Sequence, residues 1–160
     1  MKNKLIIVAS WLLVLLTMII IFNFSSQTST QSEEVSDGVI VEILDIFMEK
    51  EEITPVVVQK FQIPIRKLAH FGIYMLLGFC LLNAYYNSTS LKSWLNFTLS
   101  CISGAAYAVF DELHQRFSEG RGPSVIDVLI DTGGAVIGAL LFALFIRVYI
   151  KLLNRKSRTD

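Results

Sequence analysis

Cysteine is almost missing from this chain. Only Cys80 and Cys101 occur, each inside an apolar run, which excludes a disulfide scaffold and a thiolate metal cluster and leaves two small hydrophobes for the interior. A charge imbalance is missing too. The 14 Lys and Arg match the 14 Asp and Glu, so nothing directs the chain to nucleic acid or to a polyacidic partner. There is no internal repeat, and the single low-complexity patch is residues 25–32, rich in Ser, Thr and Gln, which reads as a loop. No metal-ligand spacing of the HExxH kind is present, so no metal is expected from spacing. What the sequence has in abundance is apolar surface. Hydrophobic residues make up 53% of the 160, charged residues 18%, and mean hydropathy is +0.56, too apolar for a soluble domain of this length. A membrane protein is expected.

Residues 5–24 form an apolar run broken only by Ser10, Thr17 and Asn23, long enough to cross about 30 Å of hydrocarbon as a helix. Lys2 and Lys4 resemble the basic start of a signal peptide. The long core and the lack of a small-x-small site in Asn23-Phe24-Ser25-Ser26-Gln27 favour a retained span instead. Further spans are read at 68–86, 94–110 (slightly short) and 125–150, giving an all-α, four-span bundle in a single domain over residues 1–160. Lys2, Lys4, Lys92, Arg147, Lys151, Arg155, Lys156 and Arg158 then lie on one side, marking it as cytoplasmic together with both termini. The segment 25–66 carries eight acids against Lys50, Lys60 and Arg66, and belongs outside. So does the link from Asp111 to Ser124.

Within the outer segment, Val39, Ile40, Ile43, Leu44 and Phe47 recur at helical spacing opposite Glu42, Asp45 and Glu49, an amphipathic stretch better suited to capping the bundle than to binding anionic lipid. Thr54-Pro55 and Pro64 are helix-start signals, the second leading into the second span. Two short helices are therefore expected outside the bilayer. Asn87-Ser88-Thr89 matches a glycosylation sequon but falls on the cytoplasmic side. Tyr74, Tyr85, Tyr86 and Trp94 read as an interfacial belt.

Both histidines, and all the carboxylates near membrane depth, gather at the outer ends of the last three spans. Lys67, His70 and Tyr74 share a helical face, as do Tyr107, Asp111 and His114, with Glu112 and Gln115 beside them. Ser124, Asp127, Asp131, Gly134 and Gly138 form a stripe on the last span. Gly134 and Gly138 admit another helix backbone, so the stripe must carry both aspartates inward, since ionised carboxylates facing lipid cost several kcal/mol. The glycine face also suits a helix partner. Three roles fit the cluster. It can be an outer salt-bridge network fixing helix register. It can be an anion-binding pocket made by Arg66, Lys67, Gln115, Arg121 and Asp131 with the backbone at Gly120 and Gly122, since Arg pairs bidentately with phosphate or carboxylate. It can be a catalytic site drawn from His70, Asp111, Glu112, His114 and Asp127, whose hard O and N groups suit Zn or Mn if a metal is held. Arg66 or Arg121 is expected to neutralise Asp127 or Asp131.

Four ordered blocks carry a resemblance. They are Phe24-Ser25-Ser26-Gln27; Arg66-Lys67-Leu68-Ala69-His70-Phe71 with Tyr74 and Gly78; Asp111-Glu112-Leu113-His114-Gln115-Arg116-Phe117; and Gly120-Arg121 leading to Asp127-Val128-Leu129-Ile130-Asp131-Thr132-Gly133-Gly134. Together the chain resembles the VanZ-like membrane protein family over nearly its whole length. The resemblance implies a small bacterial multi-pass protein associated with low-level resistance to teicoplanin-type lipoglycopeptides, and it supplies no reaction, cofactor or site residues. The expected role is therefore an outward polar pocket that binds an anionic cell-wall precursor or drug ligand at the membrane. The competing expectation is an intramembrane hydrolase or transferase acting on a lipid-linked or cell-wall substrate.

Overall fold

The computed structural model describes residues 3–117 and 124–156. Among these the chain is all-helical: α1 (Lys4–Ser25), α2 (Ser29–Phe47), a 3-10 turn (Lys50–Glu52), α3 (Pro55–Ser88), α4 (Ser93–Gln115) and α5 (Val125–Lys156). Three helices, α1, α3 and α5, are long and apolar enough to cross a membrane. Their outward faces carry Leu, Ile, Val and Phe exposed in the isolated chain, as helices that face lipid do.

α1 starts at Asn3, whose side chain accepts from the Leu5 N–H, and buries a single stripe of Ser10, Val14, Thr17, Ile21 and Ser25. Small and hydroxyl residues on that stripe suit close helix packing in lipid. Ser10 and Thr17 donate to the carbonyls of Ile6 and Leu13, four residues back. No free hydroxyl is left on the lipid-depth face at those two positions.

Two expectations for residues 25–66 change. Residues 25–32 are not all loop, because Thr28 and Gln31 close a capping box that starts α2 at Ser29, a reciprocal satisfaction of end groups that the Ser/Thr/Gln composition supplies. Pro64 does not begin a helix but lies inside α3, which runs unbroken for 34 residues from Pro55. A proline within a helix costs one backbone hydrogen bond and is carried where neighbours compensate. The amphipathic stretch does turn inward on one side. Ile40 and Leu44 are buried against Val58 of α3, while Phe47 stays exposed.

The core lies where α3 meets α5 and α4. Gly134 and Gly138 of α5 receive the backbone of α3 at Phe71 and Met75, and Gly78 of α3 receives Ala135. Ser100 on α4 donates to the Gly78 carbonyl at 3.2 Å. Parallel helices at this separation hold a fixed register. One and two turns above Gly134, that register sets His70 beside Asp131 and Lys67 beside Asp127.

Candidate functional site

Four helix segments deliver the polar groups. The first half of α3 brings Arg66, Lys67 and His70, the end of α4 brings Asp111, Glu112 and Gln115, the start of α5 brings Asp127 and Asp131, and the end of α1 brings Ser25. Arg66, Lys67, His70, Glu112, Gln115, Asp127 and Asp131 line one cavity of about 200 Å³ with Ile63 and Ile130. Asp111 stands behind it, 1% exposed.

The groups are held by unequal bonds. Lys67 Nζ lies 2.5 Å from Asp127 Oδ1, with both side chains 38% exposed, so the pair orders the mouth more than it stabilises the fold. Glu112 accepts from the Ser124 backbone N–H, and Ser124 Oγ accepts from the Asp127 N–H at 3.3 Å. These bonds satisfy backbone donors at the start of α5, where a carboxylate is also favoured by the helix dipole. Ser25 Oγ donates to Asp111 Oδ2 at 2.8 Å, and Gln115 Nε2 reaches the same oxygen at 3.4 Å. His70 Nδ1 lies 3.8 Å from Asp131 Oδ2, and Asp131 is 2% exposed.

Of the two expected arginine partners, Arg66 does not take Asp127. Lys67, not Arg66, pairs with Asp127, because one turn of α3 faces one turn of α5 in parallel register. Among the described residues Arg66 meets no carboxylate within ion-pair distance. Arg121, with Gly120 and Gly122, lies outside the described residues. His114 is not at the cavity. It stacks on Phe22 of α1 at 4.3 Å and lies 3.0 Å from Ser26 Oγ, and Tyr107 on the same face donates to the Met18 carbonyl of α1. The stripe was correctly spaced, but its neighbour is α1. Tyr74 is likewise no belt residue, being fully buried.

Ser25 is the contributor that residue chemistry alone passed over. Its signal is the buried stripe of α1, on which it continues Ser10, Val14, Thr17 and Ile21 at helical spacing.

A second cavity of about 170 Å³ adjoins the first and shares Arg66 and His70 with it. Its other walls are mainly apolar, including Ile21, Phe24, Val35, Val39, Ile65 and Ile73 from α1, α2 and α3. A polar chamber thus meets an apolar groove at one arginine and one histidine.

Apolar helices locked by small residues around buried carboxylates define an all-helical membrane protein with a polar site at one end of its bundle. The chain matches the VanZ/LLP1 family over residues 10–146 and belongs to it. No curated protein and no solved structure matches the chain.

Proposed function

We infer that this is a cell-membrane protein of four crossings, with both termini cytoplasmic, whose outward cavity binds an anionic amphiphile. That ligand is a lipid-linked cell-wall precursor or a lipoglycopeptide, and its capture lowers susceptibility to teicoplanin-type drugs. One observation carries the reading: Arg66, without a carboxylate partner among the described residues, stands where the polar chamber opens on the apolar groove. A guanidinium there suits a phosphate or carboxylate headgroup, and the groove suits its tail.

The fourth crossing is α4. Thr89 donates to Asn96 near its start, and Ser10 of α1 accepts from Asn87 at that level. At the other end Asp111 accepts from Ser25. Asn96 to Asp111 and Ser10 to Ser25 are equal stretches of chain, each roughly 22 Å as helix, so α4 runs the same depth as α1 beside it. Reporter fusions within 88–90 and after Asp160 are expected to report cytoplasm, and one at Gly38 the exterior. An external signal from either of the first two overturns the topology.

Function is read in a teicoplanin-susceptible host. Expression should raise the teicoplanin inhibitory concentration and leave that of vancomycin, the control, in place, while Arg66→Met at equal membrane accumulation should lose most of the gain. An unchanged teicoplanin value with the native chain removes the reading. The competing reading, an intramembrane hydrolase or transferase, rests on His70 beside Asp131, an imidazole oriented by a carboxylate as a general base requires. Turnover of a lipid-linked substrate that vanishes in His70→Gln would put it first.

A further inference from the structure

Behind the cavity lies a second, deeper grouping that the binding reading does not use. His70, Asp111 and Asp131, from α3, α4 and α5, each offer a ligand atom, and these atoms lie within 4.8 Å of one another. Both aspartates are nearly sealed from solvent, at 1% and 2% exposure. Among the described residues neither lies within ion-pair distance of a lysine or arginine, since Lys67 is committed to Asp127. Asp111 Oδ1 and Asp131 Oδ1 are buried there without a close hydrogen-bond partner, and the buried Tyr74 hydroxyl is turned towards the Asp111 carboxylate.

Two carboxylates so close, buried and short of donors, are strongly unfavourable as ions unless positive charge sits between them. The orphaned oxygens are on the two aspartates of the ligand set, and Tyr74 comes from the turn of α3 below His70. Surface acid clusters do not have this character, because water satisfies them.

We propose that His70, Asp111 and Asp131 form a site for a single first-row divalent cation, of the Mn²⁺ or Zn²⁺ class. One imidazole nitrogen with two carboxylates is a hard, mixed donor set that suits these ions better than Cu⁺ or a thiolate-preferring metal. The cation's two charges balance the two aspartates. Ligand bonds of about 2.0–2.2 Å need the three donor atoms to close by a few tenths of an ångström or more from their present spread, a movement of side-chain ends and not of helices. Ser25, donating to Asp111 Oδ2, orients that ligand from outside, as partners of metal-bound carboxylates do. His70 and Asp131 also line the outer cavity, so the ion's remaining positions open towards it. No linear motif announces the set, because each ligand comes from a different helix. The site does not depend on the cavity taking an anionic amphiphile.

The test uses the full chain purified in detergent, stripped with chelator and titrated with Mn²⁺ alone and with Zn²⁺ alone. One saturable site per chain is expected for at least one of the two ions, with affinity lowered ten-fold or more in Asp131→Asn and in His70→Gln. Bound Mn²⁺ should show electron spin echo modulation from a directly bonded nitrogen, lost in His70→Gln. Asp45→Asn, at an exposed ion pair with Lys50, should leave binding unchanged. Helical circular dichroism of each variant identifies any that fail to fold, and His70→Gln, at the partly exposed ligand, serves if Asp131→Asn does. The proposal is overturned if neither ion saturates a site. It is equally overturned if binding persists undiminished in a folded His70→Gln variant with no nitrogen modulation to lose.

Discussion

Gly138→Val is expected to remove the protein from the membrane fraction. A Cβ at position 138 would sit 2.7 Å from the Met75 carbonyl carbon and 2.9 Å from the Phe79 nitrogen, and these are backbone atoms of α3, which no rotamer change can move. Overpacking a core commonly costs ~1–3 kcal/mol. Here the helices must separate, so the loss should exceed that range, because parting α3 from α5 also parts Lys67 from Asp127 and His70 from Asp131. Gly72→Ala and Gly133→Ala are the controls. Nothing lies within 4 Å of a Cβ at Gly72, and at Gly133 only the Phe71 ring edge is reached, at 4.0 Å. Immunoblots of membranes should show both alanine variants at native abundance. If Gly138→Val accumulates equally, the close α3–α5 packing is refuted.

The second large effect is expected at Ser25. Its hydroxyl is fully buried and donates to Asp111, and a hydrogen bond to a charged group contributes about 1.5–3 kcal/mol. Ser25→Val replaces that donor with two methyl groups against a carboxylate, which adds a desolvation cost to the lost bond. The thermal midpoint of the purified protein should fall sharply in Ser25→Val and less in Ser25→Ala. Combining Ser25→Val with Asp111→Asn should recover much of the loss, because the amide keeps the shape and drops the charge that wanted the donor. Additive losses in the double variant would mean that the two residues act separately.

Much of this arrangement was legible before any coordinates. Runs of apolar residues located α1 and α5 to within a few positions, and the glycine stripe at Gly134 and Gly138 indicated that Asp127 and Asp131 turn inward, because a helix cannot present its small-residue face to another helix without also carrying the residues one and two turns above. What the sequence could not say was which helix lies opposite which stripe. Tyr107 and His114 were on one face, as their spacing requires, yet that face meets Phe22 and Met18 of α1, whereas Glu112 and Gln115, a third of a turn away, meet the cavity. The same ignorance of neighbours offered Arg66 as a partner for Asp127. Lys67 takes it because α3 and α5 run parallel, a relation that lives in the topology. Pro64 was misread for another reason: proline signals a helix start on average, and nothing local distinguishes a start from a tolerated interruption within a longer helix.

The self-contained hydroxyls of α1 bear on how the protein is made. Ser10 and Thr17 bond carbonyls of their own helix, so α1 can leave the translocon and wait in lipid as a finished unit while the rest is still being translated. Ser10 later also accepts from Asn83 and Asn87 of α3, and Ser25 donates to a residue made later still, Asp111, 86 positions further on. The end of α1 is therefore a latch that can close only when α4 has been delivered, so the polar site is incomplete while α1 stands alone.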